Sequence, residues 1–444
     1  MGAAGRPSGE GRQTIARHAV VKERHPLLRL LAMCAVALGV VAVSATGVAA
    51  YSVASAATAV TNAAVALGED DVIPPSLGAI EGGVNLLLVG TDSCEGQDLE
   101  LFPRCAHDDG GERNDVTMLV HISDEPRRVT VVSFPRDMLV PIPSCPDGSG
   151  GNYSAMSQQM INVSYMYGGL PCTVLTVEEL TGVDIQFAAS IRWTGVINMS
   201  DAIGGVDVCV AGDISDSHTG LNLTAGNHTL VGAEALQFLR IRHGIGDGSD
   251  LGRISNQQQF MSSMVRKLQS ESVLANPGVL LNLANTAVNQ VTQDQLVLSQ
   301  SLTNPTLMVQ IAMAVKDVEY EDIVFVQYPT VYASGTGASR VFPVTDAAAV
   351  LFTALAENKP LTLTGEASQG YGVEVTGEAE KPSATPSASA SADGATATPE
   401  PTDSASGSSD DSDAADASAD DRVDLPSSIA GTTAAQVTCT VPEG

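Results

Sequence analysis

Cations are scarce in this chain. Its 444 residues hold 22 Lys plus Arg against 51 Asp plus Glu, a formal net charge of −29. Nucleic-acid binders normally carry a basic face, so the expectation is no nucleic-acid partner. CxxC and HxxxH spacings are missing, which removes structural metal binding as the role of the cysteines. Ser133 precedes Phe134-Pro135-Arg136-Asp137, but no G-x-S-x-G occurs, so a serine hydrolase is not expected. No internal repeat is visible. The single tryptophan, Trp193, reads as core or pocket wall. Large apolar residues are nearly lacking from about Gly377 to Ser427. Such a tract cannot bury enough surface to offset its ordering entropy, and much of the acidic excess sits there or nearby.

What is present begins with a basic N-terminus. Residues 1–29 carry Arg6, Arg12, Arg17, Lys22, Arg24 and Arg29 against Glu10 and Glu23. An apolar and small-residue run then fills 30–50, long enough to span a bilayer as one helix. The basic flank puts residues 1–29 in the cytoplasm and the rest outside. A cleaved signal peptide is the alternative, since VAVSATGVAA ends in small residues. Cys34 lies in the run, and six more cysteines follow it. An even number in an exported chain implies disulfides, with fifteen connectivities open. The favoured set is Cys94–Cys105, Cys145–Cys172 and, by remainder, Cys209–Cys439.

Hydrophobic periodicity organises the middle of the chain. Expected strands are Asn85–Val89, Val116–Ile122, Val129–Phe134, Phe187–Trp193, Val206–Val210 and Asp322–Tyr328. Expected helices are Gln158–Tyr167, Val174–Leu180, Val196–Ile203, Gly232–Arg242, Leu251–Glu271, Pro277–Val291, Leu296–Val315 and Asp346–Glu357. This mixture predicts an α/β fold, a single layered α/β/α sandwich with a mixed central sheet. The resulting map is a stalk at 51–82, a folded domain at 83–365, a disordered linker at 366–430 and a C-terminal segment at 431–444, docked by its cysteine.

Two constellations could carry chemistry. Asp92 ends the first strand and Asp115 begins the second. Carboxylates gathered at one sheet end repel unless a cation intervenes, and Mg²⁺ suits one or two carboxylates plus phosphate oxygens. Turn and helix caps are the plainer alternative. The second constellation is basic: Arg136, with Arg240, Arg242 and Arg253 around a glycine-rich joint in LQFLRIRHGIGDGSDLGRISNQQQF. Three arginines so close in a cation-poor chain suggest a held anion, because the planar fork pairs with phosphate or carboxylate. Surface ion pairing is the plainer alternative, for Arg136 with Asp137 as well. Gln257 and Gln258 could bind a phosphate or lie on the helix surface. His121 reads as structural, and His243 suits a helix C-terminus.

Taken in order, NLLLVGTD, ERNDVTMLVHIS, VTVVSFPRDMLVPIP, INVSYMYGG, DAIGGVDVCV and FLRIR…DLGRISNQQ resemble the LytR-CpsA-Psr family from about Val84 to Leu268. The resemblance implies a single-pass cell-membrane protein with an extracytoplasmic catalytic domain. It implies a Mg²⁺-assisted phosphotransferase that moves a glycopolymer from polyprenyl pyrophosphate to peptidoglycan, releasing polyprenyl phosphate. By motif, Asp92 and Asp115 correspond to metal-associated acids. Arg113, Arg136, Arg240, Arg242, Arg253 and Gln257 correspond to pyrophosphate contacts. Asp250 corresponds to a base or an arginine-orienting acid, so the catalytic set is Arg136, Asp250 and Arg253. The flanking helices would line a tunnel for the polyprenyl chain. Asn256 departs from the pattern, since an arginine often stands there, and Cys94 stands where a basic residue is expected. A polyprenyl-pyrophosphate phosphatase would share every one of these residues, and a non-catalytic lipid-binding envelope regulator is a third reading. High Ala and Gly content and an acidic exported tail fit an actinobacterial envelope.

Overall fold

The computed structural model describes residues 54–68, 76–80, 82–107, 111–270, 273, 276–333, 340–379 and 422–444. The basic N-terminus, the apolar run at 30–50 and the centre of the expected linker lie outside the described residues. Among the described residues no helix is long and apolar enough to cross a membrane.

Three strands form the heart of the fold: β1 (Val84–Thr91), β2 (Asn114–Ile122) and β3 (Val129–Phe134). All six residues of β3 are buried, as expected for a strand covered on both faces. After α1 (Ser164–Thr181) come β4 (Phe187–Ile191), α2 (Trp193–Ala202), β5 (Val206–Val210) and β6 (Gly226–Leu230). Two helices, α3 (Gly232–Arg240) and α4 (Asp250–Gln269), flank the glycine-rich joint. The chain continues through α5 (Pro277–Thr292), β7 (Leu296–Leu298), α6 (Pro305–Lys316), β8 (Ile323–Gln327), β9 (Thr330–Tyr332), β10 (Val341–Pro343) and α7 (Thr345–Ala356). It ends in β11 (Val373–Glu378), β12 (Gly431–Thr433) and β13 (Gln436–Thr440).

The central sheet has seven strands in the order β7-β4-β1-β2-β3-β8-β12. It is mixed as expected: β1 runs antiparallel to β2 and parallel to β4, and β3 runs parallel to β8. Helices cover both faces. Leu170, Val174 and Val177 of α1 and Leu351 and Leu355 of α7 pack with Leu119 and Val132 on one side. Met261 and Val265 of α4 and Leu307 of α6 pack with Met118 and Val131 on the other. The expectation of one layered sandwich omits a second sheet, β6-β5-β13-β11. That sheet has its own core, with Val206, Val208, Phe238 and Phe260 buried together.

Several boundaries move. Residues 156–160 form a strand, and the helix placed at Gln158–Tyr167 starts only at Ser164. Polar Gln158 and Gln159 sit on a surface ribbon paired with Val140 and Leu139 and their neighbours. The helix expected over Leu296–Val315 is two elements: Leu296–Leu298 joins the sheet edge, and Asn304 with Pro305 starts a new helix, the usual cap chemistry. The stalk expected at 51–82 also contributes to the fold. The Val65 amide donates to Leu298 O at 2.9 Å, and Leu67 and Leu77 are buried.

The largest correction is at the C-terminus. Residues 366–430 are not all linker, since β11 lies inside that span. Leu425, Ile429 and Ala434 are buried after the tract, which gives residues 422–444 an apolar anchor. Gly431–Thr433 then closes the edge of the central sheet, and β13 enters the second sheet beside β5. All three expected disulfides are formed, Cys94–Cys105, Cys145–Cys172 and Cys209–Cys439, the last between directly paired strand residues. His121 is structural: its ring Nδ1 meets Asn85 Oδ1 at 2.9 Å. Burial pushes its pKa down to about 4, with Arg128 adding to the effect and Asp124 opposing it.

Candidate active site

The antiparallel register of β2 on β3 sets the first contact. Thr117 faces Phe134, so two residues further out Asp115 comes opposite Arg136. Arg136 Nη1 reaches Asp115 Oδ1 at 2.7 Å. The N-terminus of α4 brings the second acid, Asp250, whose Oδ1 lies 3.4 Å from Arg136 Nε. Asp137 Oδ2 lies 3.7 Å from the same nitrogen. Ser249 caps α4 by accepting from the Gly252 amide, and Asp250 in the first turn suits the positive end of the helix. One turn on, Arg253 pairs with Asp250, and its Nη2 reaches Asp115 O at 3.4 Å.

These residues form a ladder of alternating charge, Asp115–Arg136–Asp250–Arg253. Burial disfavours the Asp115 carboxylate, but Arg136, Arg253 and Arg240 outweigh it and hold its pKa below the usual range. Burial also works against the Arg136 charge, and Asp115 and Asp250 more than offset it, so its pKa is raised. Asp137 goes the other way: burial first, then Asp250, raise its carboxyl above the usual range despite Arg136, Arg253 and Arg242. The ladder is nevertheless incomplete as a hydrogen-bond network. Arg136 Nε, Arg253 Nε and both Asp250 carboxylate oxygens are buried without a hydrogen bond of good geometry. Half-satisfied buried charge is costly, and a phosphate with several oxygens would supply the missing acceptors for the arginines.

A cavity of about 420 Å³ opens at one side of the ladder. Asp115, Arg240, Arg253 and Gln257 line its polar end; most of the remaining wall is apolar. Helix α4 runs along it, contributing Arg253, Gln257, Phe260, Met261, Met264 and Leu268, the spacing of one helix face. Arg240 ends α3 with its guanidinium 4.3 Å from the Trp193 ring centroid, a cation–π contact that fixes where the charge points. Trp193 is therefore pocket wall, as expected, and also a platform for an arginine, which its isolation in the sequence did not signal.

The other expected residues divide. Arg242 lies on the opposite side of the ladder, donating Nε to Gly248 O at 2.9 Å. Arg113 is exposed and lines neither cavity; its backbone amide donates to Asp92 Oδ1 at 2.9 Å. Gln257 lines the cavity, yet its amide nitrogen donates to Leu239 O at 2.8 Å, leaving at most one N–H for a phosphate. Gln258 donates to Ser133 Oγ and is an internal tie rather than a surface residue. Asn256 does not face the ladder. It is fully buried, donating to Phe238 O and accepting from Thr440 Oγ1. Cys94 is committed to its disulfide. Sequence reading missed Arg192, which makes a two-pronged pair with Glu112 beside Thr91 on the cavity wall.

Two hard carboxylates at one strand end match the donor chemistry of Mg²⁺, which keeps water and phosphate for the rest of its shell. Asp92 accepts from the Arg113 amide and Asp115 from Arg136. Among the described residues no group of three His, Cys, Asp or Glu is arranged as a metal cage.

The LytR_cpsA_psr family model matches residues 48–357. "Cell wall biosynthesis protein LcpA" of Corynebacterium glutamicum is 31% identical over 243 residues, covering 49% of this chain and 46% of the relative. "Polyisoprenyl-teichoic acid--peptidoglycan teichoic acid transferase TagU" of Bacillus cereus is 31% identical over 214 residues, 48% of this chain and 62% of the relative. The chain thus matches about half the length of these curated relatives. The B. subtilis TagV crystal structure aligns over 62% of this chain and 96% of that chain, with 20% identity and a TM-score of 0.47. Residues 48–357 contain the ladder and the elements that deliver it, and the chain belongs to the LytR_cpsA_psr family.

Proposed function

We propose that this protein transfers a cell-wall glycopolymer from polyprenyl pyrophosphate to peptidoglycan, forming a phosphodiester and releasing polyprenyl phosphate. The observation that carries the reading is one cavity with two chemistries. Arg240 and Arg253 stand in its wall and most of the remaining lining is hydrocarbon, which is complementary to an anionic head on an apolar tail. Arg253 and Leu268 both line it, fifteen residues apart on one helix, a rise of about 22 Å. The names of LcpA and TagU, cell wall biosynthesis and teichoic acid transfer, support the same class of reaction.

On this reading Arg136, Arg240 and Arg253 bind the pyrophosphate and neutralise charge that develops on the transferred phosphoryl group and the departing phosphate. Arg242 reaches the same group from the other side, and Asp250 orients Arg136 and Arg253. Asp92 and Asp115 would hold Mg²⁺, which would add charge neutralisation at the phosphate oxygens. The apolar run at 30–50 would anchor the chain in the cell membrane, with the catalytic domain outside the cytoplasm. Helix α5 is consistent with a membrane-facing position: it carries no charged residue, and Leu280 and Leu281 are exposed near Leu283, which lines the cavity.

Ala189→Trp tests the lipid assignment, because the small Ala189 side chain on β4 lines the cavity. The variant should unfold at the wild-type temperature, and its KM for a long-chain polyprenyl donor should rise at least about tenfold, in keeping with lost apolar burial. A truncated-chain donor should be affected less. Equal use of the long-chain donor by a folded variant would remove the lipid from the cavity. Magnesium has a separate readout. Mg²⁺ with inorganic pyrophosphate should raise the thermal midpoint of the wild type but not of Asp92→Asn; the same rise in both proteins would remove Asp92 from the metal site.

A further inference from the structure

On the far side of Arg136 lies a second cavity, polar and of about 230 Å³, with Asp137, Arg242, Asp247, Ser249, Asp250 and Tyr332 in its wall. It shares no lining residue with the apolar cavity. The ladder separates them: Arg136 holds Asp115 in one wall and lies against Asp250 and Asp137 in the other. Asp250, a side chain only 9% exposed, lines this cavity with Oδ1 ion-paired to Arg253 and Oδ2 buried without a hydrogen bond of good geometry.

Its position follows from the chemistry of the proposed reaction, on which this inference rests. Phosphoryl transfer places the attacking and leaving oxygens roughly in line through phosphorus. If polyprenyl phosphate leaves toward the apolar cavity, the nucleophile arrives from the opposite side of the arginines. The polar cavity is on that side. Carboxylates, a serine hydroxyl and a half-exposed tyrosine are the groups that hydrogen-bond and stack with a sugar.

We propose that the polar cavity is the acceptor-glycan subsite and that Asp137 takes the proton of the attacking sugar hydroxyl. The acceptor oxygen forms its bond to the sugar-linked phosphorus. The P–O bond to polyprenyl phosphate breaks, its electron pair leaves on that phosphate, and the hydroxyl proton passes to the Asp137 carboxylate. Asp250 is the poorer base because it is gripped by Arg253 and also faces Arg136. Asp137 has only the 3.7 Å approach to Arg136. Its charged surroundings are Arg136 beside it, Asp250 and Arg253 of α4, and Arg242 of the joint, and their balance with burial leaves its proton affinity raised, as suits a base.

The test uses the full chain with a polyprenyl-pyrophosphate glycopolymer donor and a peptidoglycan oligosaccharide acceptor. Asp137→Asn should lower kcat at least about 100-fold, a usual size for loss of a general base, with donor Kd unchanged. In the wild type, kcat/KM for the acceptor should fall as pH drops through the Asp137 pKa, and that limb should vanish from the variant's residual rate. Tyr332→Ala should raise acceptor KM about tenfold at unchanged donor Kd, the size of one lost sugar contact. Wild-type kcat in Asp137→Asn, or an acceptor KM unmoved by Tyr332→Ala, overturns the inference while leaving the transferase reading standing. A wild type that binds the donor but never transfers to the acceptor overturns both.

Discussion

Arg136→Ala should lose transfer activity by at least about 10³-fold, the scale set by removing an arginine that neutralises a phosphoryl transition state. On the proposed function the side chain supplies charge to the pyrophosphate; it also separates three acids. Without it, Asp115, Asp250 and Asp137 face one another, held only by Arg253, Arg240 and Arg242. Their mutual repulsion works against binding a second anion. A stability cost accompanies the loss. Breaking a buried pair costs about 3–5 kcal/mol, reduced here because the Arg136 side chain is 24% exposed. Arg136→Lys keeps the charge but cannot reach Asp115 and Asp250 together, so it should retain the fold and recover only part of the rate. The measurements are transfer turnover and urea unfolding of both variants. Wild-type turnover by a folded Arg136→Ala protein would remove Arg136 from the reaction.

The strand ends of this site were legible because period-two alternation and antiparallel pairing are local rules. Once Val116–Ile122 and Val129–Phe134 are strands, Asp115 and Arg136 meet. The α4 stripe from Arg253 to Leu268 was legible for the same kind of reason, with a period of 3.6. What failed depended on distant partners. Leu296–Leu298 looks helical alone, and becomes a strand because Phe187–Ile191 offers it an edge. Gly431–Thr433 has no strand signature, yet it pairs with Ile323–Gln327 across more than a hundred residues. Cysteine parity alone pointed to that return of the chain, through Cys209 and Cys439. The Arg136–Asp137 ion pair, the plainer alternative for these neighbours, is present at 3.7 Å, but nothing local signals that Asp137 also lines the polar cavity. The glutamines after Arg253 offered no way to tell a ligand contact from a buried tie, since both need an amide N–H.

Asn256 makes the distinction measurable, because the family resemblance leads one to expect an arginine there. Its Nδ2 donates at 2.7 Å to the carbonyl of Phe238, and its Oδ1 accepts at 2.6 Å from Thr440 Oγ1. The first contact satisfies a carbonyl in the last turn of α3, where intrahelical partners run out. The second ties α4 to the last residue of β13, which Gln259 also holds through Thr438 O. Asn256→Arg would put a guanidinium into a site with no carboxylate among these contacts and no path to the ladder. An uncompensated buried charge costs about 3–5 kcal/mol, so urea unfolding should show a loss of that size. The Cys209–Cys439 bond would keep β13 tethered while its packing against α4 loosens. Asn256→Leu removes the same hydrogen bonds without a charge and should cost less, about 1–3 kcal/mol for the orphaned Phe238 carbonyl, since the Thr440 hydroxyl keeps Gln259 Oε1 as an acceptor. If instead Asn256→Arg kept wild-type stability and tightened pyrophosphate binding, the side chain would have to reach the ladder, and the clamp would be one arginine short. The burial of Asn256 and its two hydrogen bonds argue that this position holds the returning C-terminal strand in place rather than facing the ladder.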